Sequence, residues 1–263
     1  MRWIYLSPHL DDAVLSAGGL IFEQTKAAIP VEIWTFMCGF PLEIEEYSFL
    51  ANVNHASWGF SSADETVRAR REEDVIAAGI LGAQVVHFDF LDCIYRRGKD
   101  GAWLYDFSVS SPYDPEELSD KSMMALTSPP RNDDADLPRQ IANAISPRLT
   151  RDDMLVCQLS VGSHVDHVLV RQAAELLGWP ILYDVDIPYL FYKPDQLDPK
   201  SAGMKEKIHA VTEAGLKRWQ EAVLAYKSQL PVLGDAMNTP ESAVESIRSY
   251  WAEHNGIRLW EIV

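Results

Sequence analysis

The sequence predicts an α/β protein, a Rossmann-like three-layer sandwich with a mostly parallel central sheet. Three observations carry that expectation. Short apolar runs rich in β-branched and aromatic residues recur at 3–6, 31–37, 85–90, 154–159 and 181–185, as suits strands buried on both faces. Stretches of helical periodicity separate them, and alternation of this kind points to parallel pairing under two helical layers. Two of these stretches stop at Gly82 and Gly178, and glycine most readily takes the left-handed conformation just past a helix end.

Taken in order, the strand at 3–6 leads into a helix at 13–26. The strand at 31–37 precedes the clearest helix of the chain, 64–81, which returns to the strand at 85–90. The strand at 154–159 leads into a helix at 165–177, and the strand at 181–185 follows. Helical character returns over 205–229. Two regions break the rhythm. Residues 92–136 carry Arg96-Arg97-Gly98-Lys99, Ser110-Ser111-Pro112 and Ser128-Pro129-Pro130 with little periodicity; an irregular insertion of this length is a lid, a binding loop or a disordered segment. Residues 186–205, with Pro188, Pro194 and Pro199, read as a surface excursion. No internal repeat is present, and one domain over 1–263 fits better than two.

Composition bounds the function. With 263 residues, 47% hydrophobic and 24% charged, the chain is an ordinary globular one with ample length for a core. The net charge of −16 repels phosphate backbones and disfavours a nucleic-acid partner. No apolar run approaches the roughly 18–20 residues of a membrane helix. The start, Met1-Arg2-Trp3-Ile4-Tyr5-Leu6, lacks the apolar core of a signal peptide, so a cytoplasmic location is expected. Cys38, Cys93 and Cys157 form no Cys-x-x-Cys pair, which argues against disulfides and thiolate zinc sites. Cys38 and Cys157 lie in apolar runs and read as small buried hydrophobes.

Chemistry concentrates in two loops. Ser7-Pro8-His9-Leu10-Asp11-Asp12 directly follows the first strand, and Gly162-Ser163-His164-Val165-Asp166-His167 follows the fourth. Sites in open α/β sheets form at the carboxyl ends of strands, so two such loops can meet in one crevice. Imidazole and carboxylate both ligate zinc. The two clusters offer three ligands with a carboxylate and an imidazole to spare, and three protein ligands with one open position mark a catalytic zinc rather than a structural one. Plain helix capping by Asp11, Asp12 and Ser163 accounts for each loop alone far better than for both together.

These residues resemble a known family. Pro8-His9-Leu10-Asp11-Asp12, with Leu15 and Gly18-Gly19, looks like the first signature of the LmbE-like, or PIG-L, N-acetylglucosaminyl deacetylases. His164-Val165-Asp166-His167 is similar to their second signature, His-x-Asp-His. Arg70-x-x-Glu73-x-x-x-Ala77 running into Leu81-Gly82, Asp186-Ile187-Pro188-Tyr189 and Tyr226-Lys227-Ser228-Gln229 extend the likeness to almost the whole chain outside 92–136. One departure is Ala13, where many members have Glu.

The resemblance implies Zn²⁺ held by His9, Asp12 and His167, with Asp11 as general base. It implies His164 as the group that stabilises the oxyanion, and Asp166 as the carboxylate that holds that imidazole in its cationic form. Asp11 or His164 then protonates the leaving amine. Asp186 and Tyr189 fall where family loops approach the substrate. The expected activity is zinc-dependent removal of an N-acyl group, most simply acetyl, from a small-molecule amino sugar or its conjugate, with the sugar free, lipid-linked or joined to an aglycone. A zinc amidohydrolase acting on an antibiotic-precursor or thiol-conjugate amide is the first alternative, and a non-catalytic sugar- or nucleotide-binding protein of the same fold is the second. No Gly-x-Gly-x-x-Gly or Gly-x-Ser-x-Gly motif supports a dinucleotide site or a serine hydrolase.

Other residues carry plainer expectations. His55, His87, His209 and His254 match no signature, and His87 reads as a satisfied strand-end histidine. Arg70 and Glu73 have the spacing of a helical ion pair. Trp58 and Trp103 read as packing residues, and 96–99 as a solvated turn. Trp251 and Trp260 serve equally as core or as interface, which leaves the oligomeric state open.

Overall fold

The computed structural model describes residues 1–42, 46–110 and 114–263, so Ser111 and Pro112 of the insertion lie outside the described residues. In chain order the elements are β1 (Trp3–Ser7), α1 (Asp12–Lys26), β2 (Val31–Thr35), α2 (Phe49–Trp58), α3 (Ala63–Leu81), β3 (Gln84–His87), α4 (Pro115–Leu126), α5 (Leu137–Ile145), β4 (Met154–Gln158), α6 (Val165–Leu176), β5 (Ile181–Asp184), α7 (Tyr189–Tyr192), α8 (Leu197–Lys200), β6 (Met204–Ala210), α9 (Glu213–Val223), α10 (Pro240–His254) and β7 (Gly256–Ile262). Every apolar run expected to be a strand is one, and α3 ends as expected at Gly82, whose φ is +77°. Among the described residues no helix is long and apolar enough to cross a membrane.

The seven strands form one sheet in the order β3-β2-β1-β4-β5-β7-β6. Strands β1 to β5 pair in parallel, whereas β7 runs antiparallel to both β5 and β6. The chain therefore winds outward in both directions from the adjacent pair β1 and β4. Right-handed crossovers then set α1 and α6 on opposite faces, and the crevice at the carboxyl ends of β1 and β4 is the topological switch point.

On one face α1 packs against α9, and on the other α5 packs against α6. The first contact explains Gly18-Gly19: a Cβ on Gly18 would lie 2.5 Å from Cδ1 of Trp219. Trp219 is fully buried and donates its indole N–H to the Val14 carbonyl at 2.8 Å. All three cysteines are buried and free. Trp260 lies in the core, and Trp251 packs against it while donating to the Val211 carbonyl.

Three expectations are corrected. Residues 204–210 form the edge strand β6 rather than the start of a helix; Lys, Glu and Met favour helix locally, but full-length pairing with β7 overrides that preference. Nor is 186–205 only a surface excursion, because Asp186 and Ile187 are completely buried. The insertion is ordered where described: it holds α4, and Tyr95 and Tyr105 enter the core.

One arginine joins the amino-terminal ends of three neighbouring strands, β1, β2 and β4, at the opposite end from the crevice. Arg2 donates to both carboxylate oxygens of Asp153, at 3.2 and 2.7 Å, and to Glu32 at 2.8 Å. Burial opposes ionisation of Asp153, but the Arg2 hydrogen bonds and the Thr150 N–H outweigh it and hold the carboxyl below its usual range. A carboxyl depressed by folding stabilises the native state above its unfolded pKa of about 3.9, and that contribution disappears as pH falls through the folded value. Asp153→Asn is expected to lower the unfolding free energy by about 1 kcal/mol at neutral pH. The deficit should vanish in strong acid. Urea denaturation at the two pH values measures both.

Candidate active site

The two expected loops face each other across the switch point. Ser7 closes the first, its hydroxyl donating to the His9 carbonyl at 2.7 Å and accepting the Ala13 N–H at 3.1 Å. Asp11 stands at the N-cap of α1 yet makes no capping hydrogen bond, so its carboxylate is left for other work. The second loop turns through positive φ at Ser160, Gly162 and Ser163. Gly162 is required there twice over: its φ is +83°, and a Cβ would lie 2.4 Å from Cδ1 of Tyr189. The turn delivers His164 to the N-cap of α6, with Asp166 and His167 in its first turn.

Oδ2 of Asp12 lies 3.3 Å from Nδ1 of His9 and 3.4 Å from Nε2 of His167. With metal–donor bonds of about 2.0–2.1 Å, the edge of a tetrahedron is about 3.3–3.4 Å, so both spacings fit one four-coordinate cation. A second observation agrees. Nε2 of His167 is buried without a hydrogen-bond partner, while the opposite nitrogen, Nδ1, meets Asp186 Oδ1 at 3.0 Å. His9 is built alike, with Nε2 on Asp166 Oδ2 at 3.1 Å and Nδ1 turned to Asp12. A carboxylate behind each imidazole fixes the tautomer that leaves the inward nitrogen able to ligate.

Electrostatics point the same way. Burial opposes a charge on His9, yet contact with Asp12 and Asp166 holds its pKa well above the ordinary value. Burial likewise opposes ionisation of Asp12, yet His167 and His9 hold it below the usual carboxylate range. The pocket is thus arranged to stabilise positive charge at the point where these donors converge. His164 belongs to the same cluster, one ring nitrogen from each of His9, His164 and His167 lying within 4.8 Å of the others.

Asp11 is different. Burial, then the charge of Asp12, pushes its carboxyl up to about 6, against the pull of Arg70 at 3.8 Å. His9, Asp11, Asp12, Arg70 and His164 line a cavity of about 500 Å³. Arg70 also lies over the Trp58 ring at 4.7 Å, and its Nε is buried without a partner.

The structure reassigns several expected contacts. The Asp166 carboxylate does not hold the His164 ring; it faces His9 and Arg96, and His164 instead accepts the Asp166 N–H on Nδ1 at 3.2 Å. Nor is His164 kept cationic: burial, then repulsion from His9 and His167, pushes its pKa well down. Asp186 does not line the cavity; it is fully buried between His167 and the Val161 N–H. Tyr189 does line it, edge-on to His167. Arg70 pairs with Asp11 rather than with Glu73, whose carboxylate accepts both the N–H and the hydroxyl of Ser228 and so fixes the neighbouring Gln229 at the cavity wall. His87 meets Asp74 at 2.8 Å, as suits a satisfied strand-end histidine.

Sequence reasoning missed Arg70, Asp92, Asn54 and Gln229 as cavity residues. Arg70 and Gln229 stand in runs that carry the family resemblance, and Arg70 left a further signal. It falls on the stripe of α3 that includes Val67, Asp74, Ala77 and Leu81, which is the buried face.

A cation held between Asp12 and the two imidazoles leads to graded losses. His167→Ala should abolish binding of one equivalent of zinc. Asp186→Ala should weaken it by about 10–100-fold, because the imidazole remains but is no longer oriented. Competition against a chromophoric chelator, with circular dichroism as the check on folding, measures both.

The PIG-L: GlcNAc-PI de-N-acetylase family matches residues 4–177. Among solved structures, the zinc-inhibited form of a teicoplanin deacetylase is 26% identical, with 100% of this chain and 98% of that chain covered and a TM-score of 0.78. An A40926 pseudoaglycone deacetylase is 26% identical, with 100% and 97% covered and a TM-score of 0.69. The N,N'-diacetylchitobiose deacetylase from Pyrococcus horikoshii, 15% identical with 99% and 81% covered and a TM-score of 0.54, is a likeness of fold alone. No curated protein matches by sequence. The chain belongs to the PIG-L, or GlcNAc-PI de-N-acetylase, family and is a metal-dependent amide hydrolase of the deacetylase kind.

Proposed function

We propose that this enzyme removes an N-acetyl group from an amino sugar carried on a bulky, partly apolar aglycone, with zinc as its cation. The observation that carries the reading is the carboxylate of Asp12 set at tetrahedral spacing between two imidazoles, with a separate basic carboxylate, Asp11, on the same cavity floor. An all nitrogen-and-oxygen donor set of this kind suits zinc. Polar groups line the floor, whereas Trp58, Met123, Leu126, Val232 and Leu233 contribute an apolar wall. A teicoplanin deacetylase and an A40926 pseudoaglycone deacetylase among the similar structures support a conjugate over a free sugar.

Bound between these donors, the cation would polarise the amide carbonyl and let water attack near neutral pH. Asp11 would take the proton from that water, and a carboxyl raised to about 6 is matched to such a task. Neutral His164, with Nδ1 occupied by the Asp166 N–H, carries its proton on Nε2 and donates it as a hydrogen bond to the developing oxyanion. Arg70, which also lines the cavity, supplies fixed positive charge beside Asp11. The leaving amine then receives the proton that Asp11 took. Asp11 is buried beside Arg70, which limits exchange of that proton with bulk water.

Metal analysis paired with an acetate-release screen tests the reading. The panel spans free N-acetylglucosamine, N-acetylglucosaminyl conjugates with apolar aglycones, and non-sugar amides, with zinc titrated from substoichiometric to excess. Activity should concentrate on the conjugates, fall with a chelator and return with zinc. A protein that binds no divalent cation, or that cleaves simple amides as fast as conjugates, sinks the proposal. Asp11→Ala is expected to retain its zinc while kcat falls by about 10²–10⁴-fold; equal loss of metal and turnover would show that Asp11 is a ligand.

A further inference from the structure

We propose that Arg96 is a positioning residue of the metal centre, acting through Asp166 to hold the His9 ring in its ligating orientation; this rests on the reading of His9 as a metal ligand. Arg96 belongs to the run 96–99 that the sequence presents as a solvated turn. Its neighbours behave that way: Arg97 stacks over Trp103 at 4.0 Å and Lys99 is exposed. Arg96 turns inward instead and is only 7% exposed.

The contacts form a chain that ends at the metal donors. Nη1 of Arg96 donates to Asp166 Oδ1 at 2.6 Å and to the Leu91 carbonyl at 3.1 Å. The other oxygen of Asp166, Oδ2, meets His9 Nε2 at 3.1 Å and accepts the Cys93 N–H at 3.0 Å. Among the described residues Arg96 is the one hydrogen-bond donor to Oδ1. On its far side, Nε of Arg96 donates to Asp134 Oδ2 at 3.0 Å, and that oxygen also accepts the Tyr105 hydroxyl at 2.7 Å. The guanidinium lies over the Tyr105 ring at 5.2 Å.

Asp166 has no solvent exposure, so its orientation is set wholly by these donors. Without Arg96, Oδ1 would be a buried acceptor with nothing to accept from, and the carboxylate would gain by rotating toward another donor. That rotation carries Oδ2 away from His9 Nε2. The imidazole then loses the contact that keeps Nδ1 aimed at the 3.3 Å spacing from Asp12. A guanidinium presents Nη1 and Nε in one rigid plane and so serves Asp166 and Asp134 together. A lysine ammonium, a point donor on a flexible stem, does not reproduce that plane.

The test measures zinc binding by the metal-free protein, with a chelator as competitor, in Arg96→Gln, Arg96→Lys and Tyr105→Phe. Arg96→Gln is expected to bind zinc about 10–100-fold more weakly, and the 15N signals of His9 should show its two nitrogens exchanging roles. Tyr105→Phe keeps the ring under Arg96 but loses the hydroxyl bond to Asp134; it should lower Tm while binding zinc like the wild type. Wild-type affinity in folded Arg96→Gln overturns the proposal, as does an equal loss in Tyr105→Phe, since both would mark Arg96 as support for the fold alone. Should Arg96→Gln fail to fold, Arg96→Lys decides: reduced affinity supports a geometric role, and unchanged affinity refutes it. A wild-type protein that binds no zinc is a different outcome, since it removes the proposed function itself.

Discussion

The carboxylate of Asp12 between two imidazoles is the contact on which the remaining site geometry depends. It exists only because β1 and β4 are hydrogen-bonded neighbours, so that the loops leaving their carboxyl ends meet. Five carboxyl groups (Asp11, Asp12, Asp92, Asp166 and Asp186) are buried around this point, and Arg70 and Arg96 are the buried guanidiniums that face them. Burying unpaired anions is costly. The imbalance is relieved in three ways: Asp11 keeps a raised proton affinity, His9 is drawn toward protonation, and the converging donors leave room for a cation. Structure and chemistry would share one cause here, since the charge deficit that destabilises an empty site is what would favour a dication under the proposed function.

The two loops are cross-wired. His9 comes from the β1 loop but is backed by Asp166 of α6; His167 comes from α6 but is backed by Asp186, which follows β5. Adjacent residues on a helix point about 100° apart, so Asp166 and His167 in the first turn of α6 face different partners, one His9 and the other Asp12. Neither loop alone completes an oriented ligand. Registry among β1, β4 and β5 therefore does for this site what a rigid cofactor ring does elsewhere, and Arg2, which ties the far ends of β1, β2 and β4, serves the same registry.

Much of this was legible in the sequence. Strands and helix stops announce themselves through periodicity and glycine, and the meeting of the loops that carry His9, Asp12 and His167 through residue type beside two strand ends. Misassigned residues share one property: their partners are distant in sequence. Arg96 finds Asp166 and Asp134 at separations of 70 and 38 residues, and nothing near Arg96 distinguishes it from Arg97 or Lys99. Asp186 looked like a loop carboxylate because its burial depends on Val161 and His167. Residues 204–210 failed for a related reason. An exposed edge strand needs no apolar alternation, and its identity is decided by β7, which lies some 50 residues onward.

The insertion shows how an irregular stretch can carry two physical duties. Ser119, Met123 and Leu126 recur at helical spacing on α4, so one face of that helix borders the cavity. Arg96 and Asp134, near its two ends, lock together and onto Asp166. The floor of the pocket is made by loops at the carboxyl ends of β1 and β4, whereas this part of its wall belongs to a segment tied down at several points, among them Arg96 and the Cys93 N–H on Asp166, Tyr95 on His55, and Asp106 on the Leu50 N–H. Changing the apolar face of α4 alters what the cavity can admit without touching His9, Asp12 or His167. Changing Arg96 does the reverse, because its hydrogen bonds run to the backing of His9 and not to the cavity. The residues of this segment that line the cavity and the residue that backs the Asp166–His9 contact are thus separate, although all belong to one insertion.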